Sequence, residues 1–302
     1  MINLCEFVSE AERMARTHLS ESSSITDAIK ILFMLNKLPK SYSARTKYVK
    51  LLQSMQGERS GLCRQGVPET AQVLSALSLL DAQLEFPPTS VLKYNDARKL
   101  DEFSDSLDWH SDPNTAAGEL FSAFTLLYCS DLLTYDDVDG FIQMLYGYTD
   151  GDTGLIRSSY IDYHHTSPFF YLEGFFRYLM VLEYTHSPIH YPSRTLDTCI
   201  QFYDREYMPK LSTDTAYENL VWVYCISRTM RQTGYRYNDC KKRLAEYEER
   251  FAEFIRDTDF SDVNIRALLM LICIAAELQA ILPGTIKTSH PLNNVLNKTT
   301  FL

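Results

Sequence analysis

Residues able to transfer protons are concentrated in one segment of the chain, from Asp150 to His165. It contains two acids separated by a single residue, then a third acid and two adjacent histidines. Carboxylates and imidazoles are the groups that most often act as general acids or bases. We predict as catalytic Asp150, Asp152, Asp162 and His164. The same segment supplies four residues predicted to bind substrate, namely Arg157, Tyr160, Tyr163 and His165.

Three apolar helical patterns each carry a carboxylate in their first half. Glu173 lies within "YLEGFFRYLMVLEY", and a charge on a buried helix needs a partner or a role. Arg177, four residues later, could be that partner. Glu119 and Glu218 fall in the first turn of two similar patterns. We predict Glu173 as catalytic and Glu119 and Glu218 as substrate-binding, although the helix dipole also explains acids near a helix N-terminus.

Aromatic residues are frequent, with 20 Tyr and 16 Phe. Phe169 and Phe176 are spaced by seven residues in the apolar pattern that follows His165. Such rings could face a cationic intermediate, stack on a sugar, or belong to the core. We predict that both bind substrate, together with Trp222 and with His110 of "DWHSDPN".

Helix capping is the competing explanation for several acids, since Asp, Ser, Thr and Asn are preferred N-caps. Asp112, Thr213 and Ser261 are good cap candidates, and the acidic cluster "DDVD" at 136–139 also opens a helical pattern. Capping does not account for the two adjacent histidines at 164 and 165. The segment from Asp150 to His165 therefore remains the leading candidate site.

Composition narrows the classes of partner. The net charge of −10 disfavours nucleic acid and anionic lipid. Seven single cysteines without a CxxC pair argue against a disulfide framework or a Cys-rich zinc module. The chain contains no GxGxxG, P-loop or GxSxG motif, and we predict no cofactor and no metal. No apolar run could span a membrane and no signal peptide is evident, so we predict a cytoplasmic location.

Nearly continuous helical periodicity predicts an all-α protein. Twelve helices are expected, at 4–17, 24–36, 43–56, 69–84, 96–107, 115–130, 136–147, 168–184, 193–207, 213–233, 238–256 and 261–281. From the fourth onward, even-numbered helices are apolar nearly all round and odd-numbered ones are amphipathic, as expected of buried and surface helices. The alternation predicts an (α/α)6 toroid of inner and outer helices in one domain, 1–302, with 283–302 as an extended tail. An open solenoid is the alternative.

A short repeat supports this arrangement. "QGERSGLCR" at 56–64 matches "DGDTGLIR" at 150–157 when Gly57 is aligned with Gly151. The repeat resembles that of the squalene/terpene-cyclase and protein-prenyltransferase superfamily over residues 43–190, with Leu62 and Leu155 in place of the family's aromatic residue. "GDTGL" also resembles a loop of (α/α)6 carbohydrate-active enzymes. Both resemblances imply a toroid with a central cavity, open at the rim whose loops lead into the inner helices.

The cyclase resemblance implies proton-initiated cyclisation of a bulky, apolar, isoprenoid-like substrate. Asp150-x-Asp152 resembles part of that family's DxDD motif, so Asp152 or Asp150 would be the acid. This hypothesis predicts a dry aromatic pocket and a buried acid.

The alternatives are a carbohydrate lyase or hydrolase and a non-catalytic scaffold. In the enzyme, Asp162 or Glu173 would act as acid or base, with Tyr163 or His164 as its partner. That hypothesis predicts an open polar cleft with several acids and exposed aromatic faces. The scaffold would bind a protein partner and would have a filled centre.

Overall fold

The computed structural model describes residues 1–157, 167–261 and 263–298. In these ranges the chain forms twelve α-helices and one pair of two-residue parallel strands, β1 (Ile2–Asn3) and β2 (Ile286–Lys287). The all-α prediction is therefore confirmed. The helices are α1 (Cys5–His18), α2 (Ile25–Met34), α3 (Tyr42–Gln53), α4 (Val67–Leu79), α5 (Ala97–Asp105), α6 (Pro113–Cys129), α7 (Tyr135–Gly147), α8 (Pro168–Tyr184), α9 (Pro192–Asp204), α10 (Ala216–Gln232), α11 (Tyr237–Asp257) and α12 (Ile265–Ile281).

The described chain divides into two compact units, with the division falling inside α3 and α9. Unit 1 contains residues 1–48 and 196–298. In it α12 packs against both α10 and α2, and α1 packs against α2. All three helices of the row α2, α12 and α10 are buried on nearly every side, whereas α11 buries one stripe that includes Leu244, Tyr247 and Phe251.

Unit 2 contains residues 49–195. Here α6 packs between α4 and α8, and α5 packs against α7 and α6. As in unit 1, the three helices that pack side by side, α4, α6 and α8, are the buried ones. Aromatic rings fill the space around α6, where Phe121 stacks on Tyr178 and Phe124 on Phe141. The predicted alternation of buried and exposed helices is confirmed within each unit.

Several helices end earlier than the periodicity predicts, in turns that contain no glycine. In α4 the predicted end is residue 84, but Asp81 takes a left-handed conformation, with φ of 58°. The Ala82 amide then donates to the Leu77 carbonyl at 3.0 Å, which closes a Schellman motif. Asn36, Asp131, His186 and Glu206 end their helices in the same way.

The predicted caps are partly correct. Asp112 caps α6 by accepting from the Thr115 amide at 3.0 Å, and Thr134 with Asp137 forms a capping box at α7, which explains the 136–139 cluster. Ser261 does not cap α12, because Asn264 takes that position. Thr213 is also replaced, since Thr215 is the N-cap of α10.

The chain after α12 packs on unit 1. The Asn293 amide donates to the Met34 carbonyl at 2.9 Å, and Asn294 Nδ2 donates to Glu277 Oε1 at 2.6 Å. Val295 and Leu296 are buried in a short 3₁₀ turn. The segment therefore packs against the C-terminal parts of α2 and α12. No helix in the described ranges has the length and hydropathy needed to cross a bilayer.

Candidate functional site

The two copies of the sequence repeat form the same tight turn. Gly61 donates to the Gly57 carbonyl at 2.9 Å, and Gly154 donates to the Asp150 carbonyl at 2.8 Å. Each turn is closed by an antiparallel bridge, Gln56 to Cys63 and Thr149 to Ile156. These bonds align Gly57 with Asp150, which corrects the sequence alignment by one residue. The repeat is therefore structural, and Asp150 occupies a turn position that glycine holds in the first copy.

Glycine is required where each turn meets a later segment. Gly61 and Gly154 have φ of 67° and 73°. A side chain at Gly61 would place Cβ 1.9 Å from the Pro87 carbonyl oxygen, and one at Gly154 would place it 2.5 Å from the Thr195 amide nitrogen. In the first copy Gln56 completes the junction by donating to the Gly61 and Phe86 carbonyls. Both turns thus fasten a loop to a segment further along the chain.

Asp150 and Asp152 occupy the outside of the second turn. Asp150 Oδ1 accepts from the Asp152 amide at 3.0 Å, from the Thr153 amide at 2.8 Å and from Thr153 Oγ1 at 3.0 Å. Asp152 is exposed. An acid that protonates an alkene needs a desolvated carboxyl, and this position does not supply one. The geometry explains Asp150 as the residue that holds the turn.

Arg157 leaves the turn and enters a pocket of aromatic rings. Its guanidinium carbon lies 3.5 Å from the ring centroid of Tyr148 and 5.3 Å from that of Trp109. It donates to Asp105 Oδ1 at 2.6 Å and to Ser104 Oγ at 3.1 Å, and the bond to Asp105 lowers the pKa of that carboxyl. The side chain is 6% exposed. Arg157 therefore joins the turn to α5, and its charge is compensated inside unit 2.

The remaining candidates of this segment, Tyr160, Asp162, Tyr163, His164 and His165, lie outside the described residues. Their predicted roles stay predictions.

The candidates on α8 are buried in its packing. Glu173 is 4% exposed, and Phe169 and Phe176 are 4% and 1% exposed. A ring that lined a substrate cavity would keep accessible surface. Phe176 has almost none, so it belongs to the core. Arg177, the partner predicted for Glu173, donates from Nε to Asn114 Oδ1 at 3.4 Å.

The other candidates lie on α6 and α10 or just before α6. His110 is exposed in the turn before α6, and Glu119 is half-buried on α6. Glu218 is half-buried in the first turn of α10, where its Oε2 atom is buried without a hydrogen-bond partner among the described residues. Trp222 is fully buried on α10 and donates from Nε1 to the Cys199 carbonyl at 2.9 Å. It offers no surface to a ligand.

Trp222 instead supports an open cleft of about 830 Å³ in unit 1, which the sequence does not predict. We call it the Arg250 cleft. It lies between the end of α9, the loop 206–211 and the second half of α11. Its lining includes the polar or aromatic residues Tyr203, Asn219, Tyr247, Arg250, Glu253 and Asp257.

The floor of the Arg250 cleft is an aromatic stack. Tyr203 stacks on Trp222, with ring centroids 5.0 Å apart, and Tyr247 lies 5.4 Å from Trp222. The Tyr247 hydroxyl donates to Asn219 Oδ1 at 3.1 Å, so both buried groups are satisfied. Burial raises the pKa of Tyr203 and of Tyr247, which keeps both hydroxyls protonated. The floor is therefore rigid and uncharged.

The walls of the cleft carry charge. Arg250, Glu253 and Asp257 are all exposed on α11. Arg250 lies with its guanidinium carbon 4.8 Å from the Tyr203 ring centroid and donates to the Tyr203 hydroxyl. The described residues hold no cluster of three His, Cys, Asp or Glu that is placed to bind a metal ion.

Comparison with known protein families, with curated proteins and with solved structures found no match for this chain.

Proposed function

We propose that this protein binds a carbohydrate in the Arg250 cleft. The observation that carries the proposal is an open cleft with a rigid base, Tyr203 on Trp222, and exposed charged groups of α11 on one wall. Carboxylates accept from sugar hydroxyls, and a guanidinium donates to them. An open polar cleft with several acids is one feature that the carbohydrate hypothesis predicts, and it supports the proposal although the residues that form it are not those predicted.

The size of the cleft is consistent with a small saccharide. Its volume of about 830 Å³ lies within the ~300–1,000 Å³ typical of small-molecule sites. Such sites are mainly apolar with a few convergent polar groups, and here three of the charged groups, Arg250, Glu253 and Asp257, come from one helix, α11. A rigid element holds binding groups more accurately than a loop does.

Hydrolysis is a second candidate activity, supported by the spacing of Glu253 and Asp257. Both line the cleft and lie four residues apart on α11, which sets their Cβ atoms about 6 Å apart. Glycoside hydrolases use two carboxylates about 5–9.5 Å apart. This Cβ spacing is compatible with carboxyl groups on either side of one glycosidic bond.

The direct test is binding of the purified full chain to a glycan array, followed by calorimetric titration of each hit. Removing one charged hydrogen bond with Glu253→Gln or Asp257→Asn should weaken binding by about tenfold or more. Glu249→Gln is the matched control, because this exposed α11 residue does not line the cleft. An array without hits, or equal losses in all three variants, would refute the proposal. Chromatography of the bound saccharide would show whether hydrolysis follows.

The terpene-cyclase hypothesis has less support. It rests on the repeat and on Asp152, and the exposure of Asp152 does not suit an acid that must remain protonated. Conversion of a polyprenyl substrate by the wild-type chain, lost in Asp152→Asn, would restore it. The (α/α)6 toroid likewise remains a proposal, supported by the alternation of buried and exposed helices along the chain.

A further inference from the structure

Helices α9 and α11 of unit 1 are joined by a ladder of arginines spaced by seven residues. Arg236 Nη1 donates to Asp197 Oδ1 at 3.0 Å. Arg243 donates to both oxygens of Asp204, at 2.9 Å and 2.6 Å. The pairs repeat because residues seven apart lie on one face of a helix. The third arginine of the series is Arg250.

The third arginine of the ladder, Arg250, has no carboxylate of α9 as a partner. α9 ends at Asp204, so no acid of that helix can face Arg250. Its partner is the Tyr203 hydroxyl, and no carboxylate of the described residues lies within ion-pair distance of it. A protonated phenol does not neutralise a guanidinium. Glu246 lies one turn before Arg250 on α11 and interacts with the same Tyr203 hydroxyl, so the Arg250 guanidinium faces the cleft without a direct ion pair among the described residues.

From this position we infer that the ligand of the Arg250 cleft is a sugar that carries an oxyanion, a carboxylate or a phosphate, bound by Arg250. The inference rests on the proposed carbohydrate function. A guanidinium binds either oxyanion through two parallel hydrogen bonds. The oxyanion would take the third place of the ladder, as Asp204 takes the second.

The acids of the cleft are compatible with such a ligand. Glu253 and Asp257 lie one and two turns beyond Arg250 along α11, towards its end, and can accept from the hydroxyls of the sugar ring. Glu206 and Lys210 in the adjoining loop are also exposed and opposite in charge. Solvent screens repulsion between exposed charges, whereas the contact between the oxyanion and Arg250 is direct. The cleft thus has a cationic end and an acceptor end.

The experiment compares three sugars in calorimetric titrations: glucose, glucuronate and glucose 6-phosphate, each with its galactose counterpart. We expect one anionic form to bind at least about tenfold more tightly than the neutral sugar, and which form it is separates carboxylate from phosphate. Arg250→Met, which keeps the aliphatic contact with Tyr203, should abolish the difference. Arg250→Lys should retain part of it, because it keeps the charge but not the paired donors.

The outcomes separate this inference from the proposed function. Equal binding of neutral and anionic sugars, or a preference that persists in Arg250→Met, would overturn the inference and leave carbohydrate binding intact. No binding of any sugar would overturn both. Arg243→Met is the matched control: it removes a ladder pair outside the cleft and should leave the preference for the anionic sugar unchanged.

Discussion

Arg157 in unit 2 and Arg250 in unit 1 have similar neighbours and different uses. Each guanidinium lies on a tyrosine ring, at 3.5 Å from Tyr148 and 4.8 Å from Tyr203. Arg157 is buried and bonded to a carboxylate, whereas Arg250 is exposed and bonded to a phenol. The neighbours alone therefore do not reveal the role of an arginine. Burial and the presence of a counter-charge decide whether it holds the fold or is available to a ligand.

Arg228 in unit 1 extends the comparison to full burial. It is 3% exposed and its partner Glu277 is 0% exposed. Glu277 also accepts from Ser227 Oγ at 3.0 Å and from Asn294 at 2.6 Å. Its carboxylate thus has a complete set of donors. From Arg228 through Arg157 to Arg250, exposure rises and compensation by the protein falls.

The largest effect is expected for Arg228→Ala. The substitution leaves the Glu277 carboxylate buried without its main counter-charge, and breaking such a pair costs about 3–5 kcal/mol of unfolding free energy. Urea denaturation followed by circular dichroism measures this loss. The double variant Arg228→Met with Glu277→Leu should recover much of it, since the uncompensated charge is gone. A single variant as stable as wild type would contradict the ranking.

Lys30 shows how a different cation responds to burial. It is 0% exposed on α2, near Asp27, Arg266 and Cys273, and Asp27 is bonded to Arg266 at 2.9 Å. Burial lowers the pKa of Lys30 from 10.5 to about 7. An arginine cannot release its proton in this way. Above the folded pKa, Lys30 is therefore neutral in the native state and still protonated in the unfolded state.

The sign of the pH dependence follows from this difference. Between pH 7 and 10.5 the unfolded chain binds more protons at Lys30 than the folded chain does, so stability rises with pH across that window. Lys30→Met should remove this contribution and, at pH 7, raise the unfolding free energy by on the order of 4 kcal/mol. Denaturation midpoints of both chains from neutral to alkaline pH give the measurement. A constant difference between them would exclude Lys30 as the source.

Arg157→Ala should have a smaller effect than Arg228→Ala. Its partner Asp105 is 59% exposed, so the carboxylate left behind is solvated. The loss is one charge-assisted hydrogen bond and the contact with Tyr148, together about 2 kcal/mol. Urea denaturation again provides the value. If the loss equalled that of Arg228→Ala, exposure of the partner would not be the controlling variable.

The helices could be predicted from the sequence more completely than the residues of the candidate site. Helix patterns identified all twelve α-helices of the described residues, because a buried row of helices requires apolar residues on every side. The helix ends were less predictable. Asp81 and Glu206 adopt left-handed turns usually marked by glycine, so no residue type signals these ends. Asp112 was predictable as a cap because Asp before Pro113 is a strong local signal.

The Arg250 cleft was missed for a physical reason. Arg236, the residue before α11, and Arg243 and Arg250 on that helix follow a seven-residue spacing that by itself indicates only a solvated helix face. Asp197 and Asp204 have the same spacing on α9, and matching the two series would have predicted the ladder. Tyr203 and Trp222 are on different helices, and their stacking depends on packing between helices. Conversely, Arg157 looked like a binding residue because its burial against Trp109 cannot be read from the sequence.

The smallest effect on stability is expected for Arg250→Ala. This exposed side chain forms no ion pair with the described residues, and such substitutions change the unfolding free energy by less than about 0.5 kcal/mol. Arg243→Ala is the matched variant, since Arg243 lies seven residues before Arg250 and donates two hydrogen bonds to Asp204. Its loss should lower the unfolding free energy by about 1 kcal/mol. Thermal melts of the two variants compare them directly. If Arg250→Ala were the more destabilising, Arg250 would belong with Arg157 as a residue that holds the fold, and the cleft would lose its available cation.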